Sequence, residues 1–455
     1  MFSKLLGLIL FAFIARFLGA NELGLYAFAI ALANFFAIAT RFGFEKRVEK
    51  EVGRNTRLLY SYFREINSIK AIFSICSLAL LWLLLQLVGE ADSPMVMLIA
   101  CFVFTFTFLE FTNALFRGIG KAEFEVFART VFSLLNTTLG IAALFAGWGL
   151  QGVVTAQLIS VSTAILYCFF IVRKVAIKTS YSGNWRTLWS HVKATAPFAV
   201  MLFILYFGNQ ITIVLIQALT RREEVGYFAA SMRLFESLTP IPAAIAGAFL
   251  PVISRLYSTS VDGFAQILRF AVKYLFVISS PIVLGAILIA PQAIPLLYGE
   301  EFMPSVIVLQ ILLVALIFSF WNNSMASALI ASNREKLLIW LFACGAVFHV
   351  GANLLLIPML SFVGAAWAML ASCAVLFIGN LVCLRRHLKI GVFFRDLASP
   401  ALCAAAMGIV VFTIRDWNIG LVIPIGAIVY IAALFLTGTA SRRDLDSLKG
   451  TIGAP

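Results

Sequence analysis

Apolar runs about as long as a bilayer is thick recur along the whole chain, and this recurrence constrains the fold more than any other feature. Each run is near the roughly 20 residues that an α-helix needs to cross the hydrocarbon core. Breaking the chain at its charged and Gly/Pro-rich points leaves such segments near 5–18, 23–40, 69–88, 94–115, 125–146, 151–172, 196–219, 226–250, 268–290, 304–330, 336–357, 361–384, 398–414 and 419–437. Composition agrees: 62% of the 455 residues are hydrophobic and 12% charged, against roughly 45–50% and about 25% in soluble domains. The expected fold is an all-α polytopic membrane protein with about 14 transmembrane helices. Long unbroken apolar runs exclude a β-barrel, whose strands alternate.

The net charge of +13 would suggest nucleic acid in a soluble protein. Here membrane orientation and anionic headgroups account for it, and no nucleic-acid partner is expected. The seven cysteines all fall in apolar segments without a CxxC pair, so no metal, cofactor or disulfide framework is indicated. With the N-terminus placed inside, 29 Lys and Arg fall on the interior side and 4 on the exterior. Basic loops resist translocation, so both termini of a multi-pass protein are expected in the cytoplasm. The first helix is read as an uncleaved span, since no small-residue cleavage site precedes Asn21.

The chain repeats itself. ELGLYAFA at 22–29 matches EVGYFAAS 202 positions later, aligning Glu22, Gly24 and Ala27 with Glu224, Gly226 and Ala229. GVVTAQLIS at 152–160 matches GAAWAMLAS at 364–372. Two six-helix lobes follow, 1–172 and 196–384, joined by a basic cytoplasmic linker at 173–195. Two additional helices at 398–437 and a cytoplasmic tail at 438–455 complete the expected organisation. An even number of helices per lobe makes the repeats parallel, the plan of a two-lobed transporter. Carried back 202 positions, the start of the seventh span at Ala196 falls before Met1, so the true start is expected upstream.

Four segments in order, IARFLGANELGLYAFAIAL, ALFRGIGKAEFEVF, PLLYGEEFMPSVIVLQIL and NLLLIPMLSFVGAAWAMLAS, resemble the Wzx-type polysaccharide and O-antigen repeat-unit flippases. These belong to a superfamily that also holds lipid II flippases and multidrug extrusion antiporters. The resemblance covers nearly the whole chain. It implies transfer of an undecaprenyl-diphosphate-linked oligosaccharide from the cytoplasmic to the periplasmic leaflet by alternating access. It also implies membrane lipids, a polysaccharide polymerase and other assembly proteins as partners. The family usually carries an acidic residue after the second span, whereas this chain has Arg41.

A diphosphate crossing a low-dielectric core needs fixed cations, and arginine binds phosphate through a planar fork that stays charged. Arg233, within the eighth span, is the leading candidate, because a charge there is expensive and usually functional. Glu236, three residues on, either neutralises it as a structural pair or takes up a proton. Arg16, in the ARFLG pattern, resembles a family arginine or snorkels to headgroups. Arg41 and Arg47 open the largest basic loop and would receive the diphosphate, while most of the stretch from Lys46 to Arg64 reads as an interfacial amphipathic helix. Glu110 is a carboxylate without an evident partner, either silent or ion-coupled. Asn209, Gln210, His349 and Asn353 suit interhelical hydrogen bonds or sugar hydroxyls, with His349 also a possible proton site. Pro240 and Pro242 should loosen the eighth helix. There is no Walker loop, HExxH or nucleophile elbow, so the chain is not read as an enzyme. The alternative is a cation-coupled multidrug or small-molecule antiporter of the same superfamily.

Overall fold

The computed structural model describes residues 2–90, 92–175, 185–259, 261–384 and 390–438. Helices dominate the described residues, and no strand occurs among them. The first six are α1 (Phe2–Arg41), α2 (Phe44–Arg54), α3 (Leu59–Val88), α4 (Ser93–Gly118), α5 (Ala122–Phe145) and α6 (Gly149–Val175). Then come α7 (Trp185–Leu219), α8 (Arg222–Leu238), α9 (Pro240–Thr259) and α10 (Val261–Tyr298). The last four are α11 (Ser305–Ala331), α12 (Glu335–Leu384), α13 (Ile390–Thr413) and α14 (Ile419–Leu436). Helix is the expected outcome, because a segment in lipid must satisfy its backbone hydrogen bonds internally.

Among the described residues, eleven helical stretches are long and apolar enough to cross a membrane. The difference from the fourteen expected segments arises partly because two expected pairs run on as single helices. The 5–18 and 23–40 segments are joined in α1 across Gly19 (φ 79°, ψ 179°), and the 336–357 and 361–384 segments in α12 across Ser361 (φ 55°, ψ −143°). A single reversed residue turns the chain without a loop. The eighth segment is instead split, at Thr239, into α8 and α9. Pro240 opens α9, where its missing N–H removes no intrahelical bond.

The outer surface is apolar: Trp340 is 70% exposed and Val347 74%, with Leu87, Phe145 and Leu436 similarly placed. In water such a surface would drive aggregation; in lipid it is the solvated one.

The chain divides into two compact units, Met1–Ala229 and Ala230–Pro455. In the first, α1 is the hub, touching α3, α4, α5, α6 and α7. Small buried residues along it, among them Ala15, Ala20, Ala29, Ala33 and Ala37, let those neighbours approach closely. In the second, α10 touches α9, α11, α13 and α14. One core there gathers Phe264, Leu268, Trp321, Met325 and Phe377. A second gathers Val277, Met407, Val411 and Val422, where the Tyr430 hydroxyl donates to the Val277 carbonyl at 2.7 Å.

The repeated segments meet in the first unit. A Cβ on Gly24 would collide with the Arg222 carbonyl, and a Cβ on Gly226 with the Ala20 carbonyl. Adding 202 converts 20 and 24 into 222 and 226, so the contact maps onto itself. The glycines that align in the repeat are the residues that allow the two backbones to cross.

Candidate functional site

α1 ends at Arg41, and the chain reverses through Phe42 (φ 41°) and Gly43 (φ 75°). The last carbonyls of a helix lack intrahelical donors and carry partial negative charge. Lys70, entering from α3, meets that need: its Nζ donates to the Thr40 carbonyl at 3.0 Å. The Lys70 side chain is wholly buried and lies 3.6 Å from Glu45 Oε1. Its ammonium is also 5.7 Å and 5.6 Å from the ring centres of Phe108 and Phe111, within cation–π range.

Beside it, Arg41 is buried and donates to Glu110. Its Nε lies 3.2 Å and its Nη2 3.1 Å from Glu110 Oε2, and its Nη1 donates to Asn34 Oδ1 at 3.2 Å. Two cations and two carboxylates, drawn from α1, α2, α3 and α4, thus form a neutral cluster inside the first unit. Uncompensated burial of Arg41 or Lys70 would cost several kcal/mol. Arg41 and Glu110, expected separately, are brought together, so Glu110 has a partner after all. Lys70 was missed because it stands at the head of an apolar segment and reads as part of the basic loop.

Arg47 belongs to a second cluster. Its Nη1 donates to the His191 carbonyl at 2.9 Å, and the buried His191 Nε2 is 2.8 Å from Glu65 Oε2. The Tyr62 ring stands edge-on to the imidazole at 4.9 Å. Burial holds the His191 pKa below its ordinary value, against the Glu65 hydrogen bond, which raises it. These contacts tie α2 and α3 to the start of α7. Sequence reasoning did not single out His191; only its place in a basic stretch marked it.

The expected interfacial helix is corrected. α2 ends at Arg54, and Phe44, Val48 and Val52 are wholly buried against Leu59, Ile66, Phe111 and Leu115. Its apolar stripe is consumed by the protein rather than presented to lipid. Asn55 Oδ1 accepts from the Arg57 N–H at 3.1 Å, turning the chain into α3.

In the second unit Arg233 is half-buried on α8, within electrostatic range of the Tyr298 hydroxyl, while Glu236 is exposed. Tyr298 is buried and donates to the Ala230 carbonyl at 3.3 Å. Arg16 is exposed, three residues before the Gly19 break. His349 and Asn353 are buried and serve each other: Asn353 Nδ2 donates to the His349 carbonyl at 2.8 Å and lies 3.1 Å from His349 Nε2. His349 Nδ1 is 2.9 Å from Ser372 Oγ, so this network staples the two halves of α12. The Asn209 side chain lies outside the described residues, and Gln210 is half-buried. One further ion-pair set was not foreseen: Arg222 donates to Glu90 at 2.8 Å and to Asp92.

Comparison with known proteins gives the fold a context. No curated protein matches the chain. The lipid II flippase MurJ, in an inward closed conformation, superposes with a TM-score of 0.75 at 14% identity, covering 98% of both chains. An inward-facing multidrug resistance MATE transporter of the MOP superfamily gives 0.68 at 17% identity, over 86% of this chain and 96% of that one. A MOP-superfamily transporter from Pyrococcus furiosus gives 0.57 at 16% identity, over 84% and 92%. At such identities the likeness concerns the fold. The sequence itself matches the family model described as polysaccharide biosynthesis protein over residues 1–257. With more than half its length matched, the chain belongs to the polysaccharide biosynthesis protein family.

Proposed function

We propose that the protein is a flippase that moves an undecaprenyl-diphosphate-linked oligosaccharide from the cytoplasmic to the periplasmic leaflet. Alternating access between the lobes 1–172 and 196–384 would carry the substrate across. The observation behind this reading is the presence of cations embedded in an apolar body: Arg41 and Lys70 are buried, each beside a more exposed carboxylate, and Arg233 is half-buried. A carrier for an anionic headgroup needs such cations, whereas a carrier for cationic drugs needs carboxylates. In this scheme Arg16, Arg41, Arg47 and Arg233 contact the diphosphate, Asn209 and Asn353 contribute polar contacts toward the glycan, and Glu110, Glu236 and His349 are the groups open to ion coupling. A polymerase that consumes the translocated unit is the expected partner.

Deleting the gene tests this. Cells should accumulate the lipid-linked oligosaccharide on the cytoplasmic leaflet, detected by lipid extraction and mass spectrometry. Arg233→Ala at normal expression should lower surface glycan about ten-fold, the loss of one charge-assisted contact. No accumulation, with surface polysaccharide intact, would reject the lipid-linked substrate in favour of small-molecule export.

A further inference from the structure

The two ion pairs of the α1 cluster differ in kind. Lys70 is held on all sides, with no exposed side-chain surface, by a backbone carbonyl, a carboxylate and two rings. The Arg41–Glu110 contact is looser. Both guanidinium contacts to Glu110 converge on the single oxygen Oε2, at 3.2 Å and 3.1 Å. Charge-assisted N–H···O bonds run nearer 2.7–2.9 Å, and a guanidinium is better satisfied by two oxygens in a parallel fork. The Glu110 side chain is 33% exposed while that of Arg41 is 10% exposed, so the carboxylate is the partner with freedom to leave. Asn34, on the same helix as Arg41, accepts from Nη1 at 3.2 Å, a contact that does not involve Glu110.

Charge points the same way. With Glu110 in place, Arg41, Lys70, Glu45 and Glu110 sum to zero; with it displaced, the three that remain carry one net positive charge. Resting on the headgroup reading above, we propose that Glu110 is an internal stand-in for the substrate anion. Its carboxylate occupies the Arg41 guanidinium in the empty protein and yields it to a phosphate group of the lipid diphosphate. The empty carrier thereby never holds an uncompensated arginine at depth, a state that costs several kcal/mol. The returning carboxylate also competes the product off. Phosphate, with oxygens to spare, offers the two-point contact that a single carboxylate oxygen does not.

The test is binding of farnesyl diphosphate, which carries the same headgroup on a short chain, to the full-length protein purified in detergent. Glu110→Gln should bind it about ten-fold more tightly than wild type, with Glu110→Ala as a second variant should the amide pack poorly. Arg41→Gln should weaken binding, and Arg41→Gln combined with Glu110→Gln should show no gain. Inorganic pyrophosphate, titrated in parallel, should gain by the same factor, since the competition is for the anion. Glu110 variants that bind no tighter than a wild type that does bind would overturn the stand-in role and leave the headgroup reading intact. A gain for the lipid alone would also overturn it. Wild type and variants that melt normally yet bind neither probe would reject both.

Discussion

Lys70 and His191 are both buried ionisable groups, and neither is conspicuous as a letter in the sequence. Lys70 begins an apolar segment, where it looks like an anchor at the headgroups. Its role follows from Thr40, thirty residues earlier in the last turn of α1, whose carbonyl accepts from the Lys70 ammonium. Arg41 and Glu110 are 69 residues apart, a separation no periodicity reports. His191 yields a pH prediction. Burial depresses its folded-state pKa below the ordinary value of 6.5, so the unfolded chain takes up the proton first. The contribution to stability is therefore full above that ordinary value and lost as pH falls through it, levelling once the folded imidazole also protonates. Wild-type protein should lose melting temperature between about pH 7.5 and about pH 5.5 more steeply than His191→Gln, whose side chain does not titrate in that range. Parallel pH profiles would remove His191 from the account.

At the scale of elements, helix boundaries follow from local chemistry and helix crossings from small residues. Gly89 (φ 71°) ends α3, its N–H bonding the Leu85 carbonyl as left-handed caps do. Thr239 and Pro240 divide what would otherwise be one span, as the prolines there suggested. The crossing of the repeated segments is the more demanding feature, because Gly24 and Gly226 each face a backbone carbonyl that cannot move aside like a flexible side chain. Gly24→Ala and Gly226→Ala should each destabilise the protein by about 1–3 kcal/mol or more, the usual range for overpacking, and by similar amounts because the contact is symmetric. Gly351→Ala is the control: nothing lies within 4 Å of its new methyl group, so its melting temperature should be unchanged or slightly raised. A wild-type melting curve for either crossing variant would mean that the two backbones do not approach this closely.

For the molecule as a whole, the governing asymmetry is charge. With 29 basic residues expected on one side of the membrane and 4 on the other, the loops should sort as the positive-inside rule requires. Alkaline phosphatase fused after Leu436 should be inactive and a fluorescent protein there bright, since the former works only outside and the latter folds inside. The opposite pattern would invert the assignment of Arg41, Arg47 and the α1 cluster to the cytoplasmic half.

What the sequence by itself determined is what lipid imposes locally. Apolar runs of membrane thickness, prolines and glycines at their ends, and a strong basic bias sufficed for an all-helical membrane protein, the family resemblance and the repeated segments. Each depends on neighbours within a turn or two, or on sums over loops. The tertiary structure alone decided which buried charges neutralise one another. It paired Arg41 with Glu110, sank Lys70 beneath the end of α1, joined Arg47 and Glu65 through His191, and turned the apolar face of α2 inward. The reason is physical: in a low-dielectric interior a charge must find its partner wherever the packing of helices brings one, and that distance in space leaves no trace in distance along the chain.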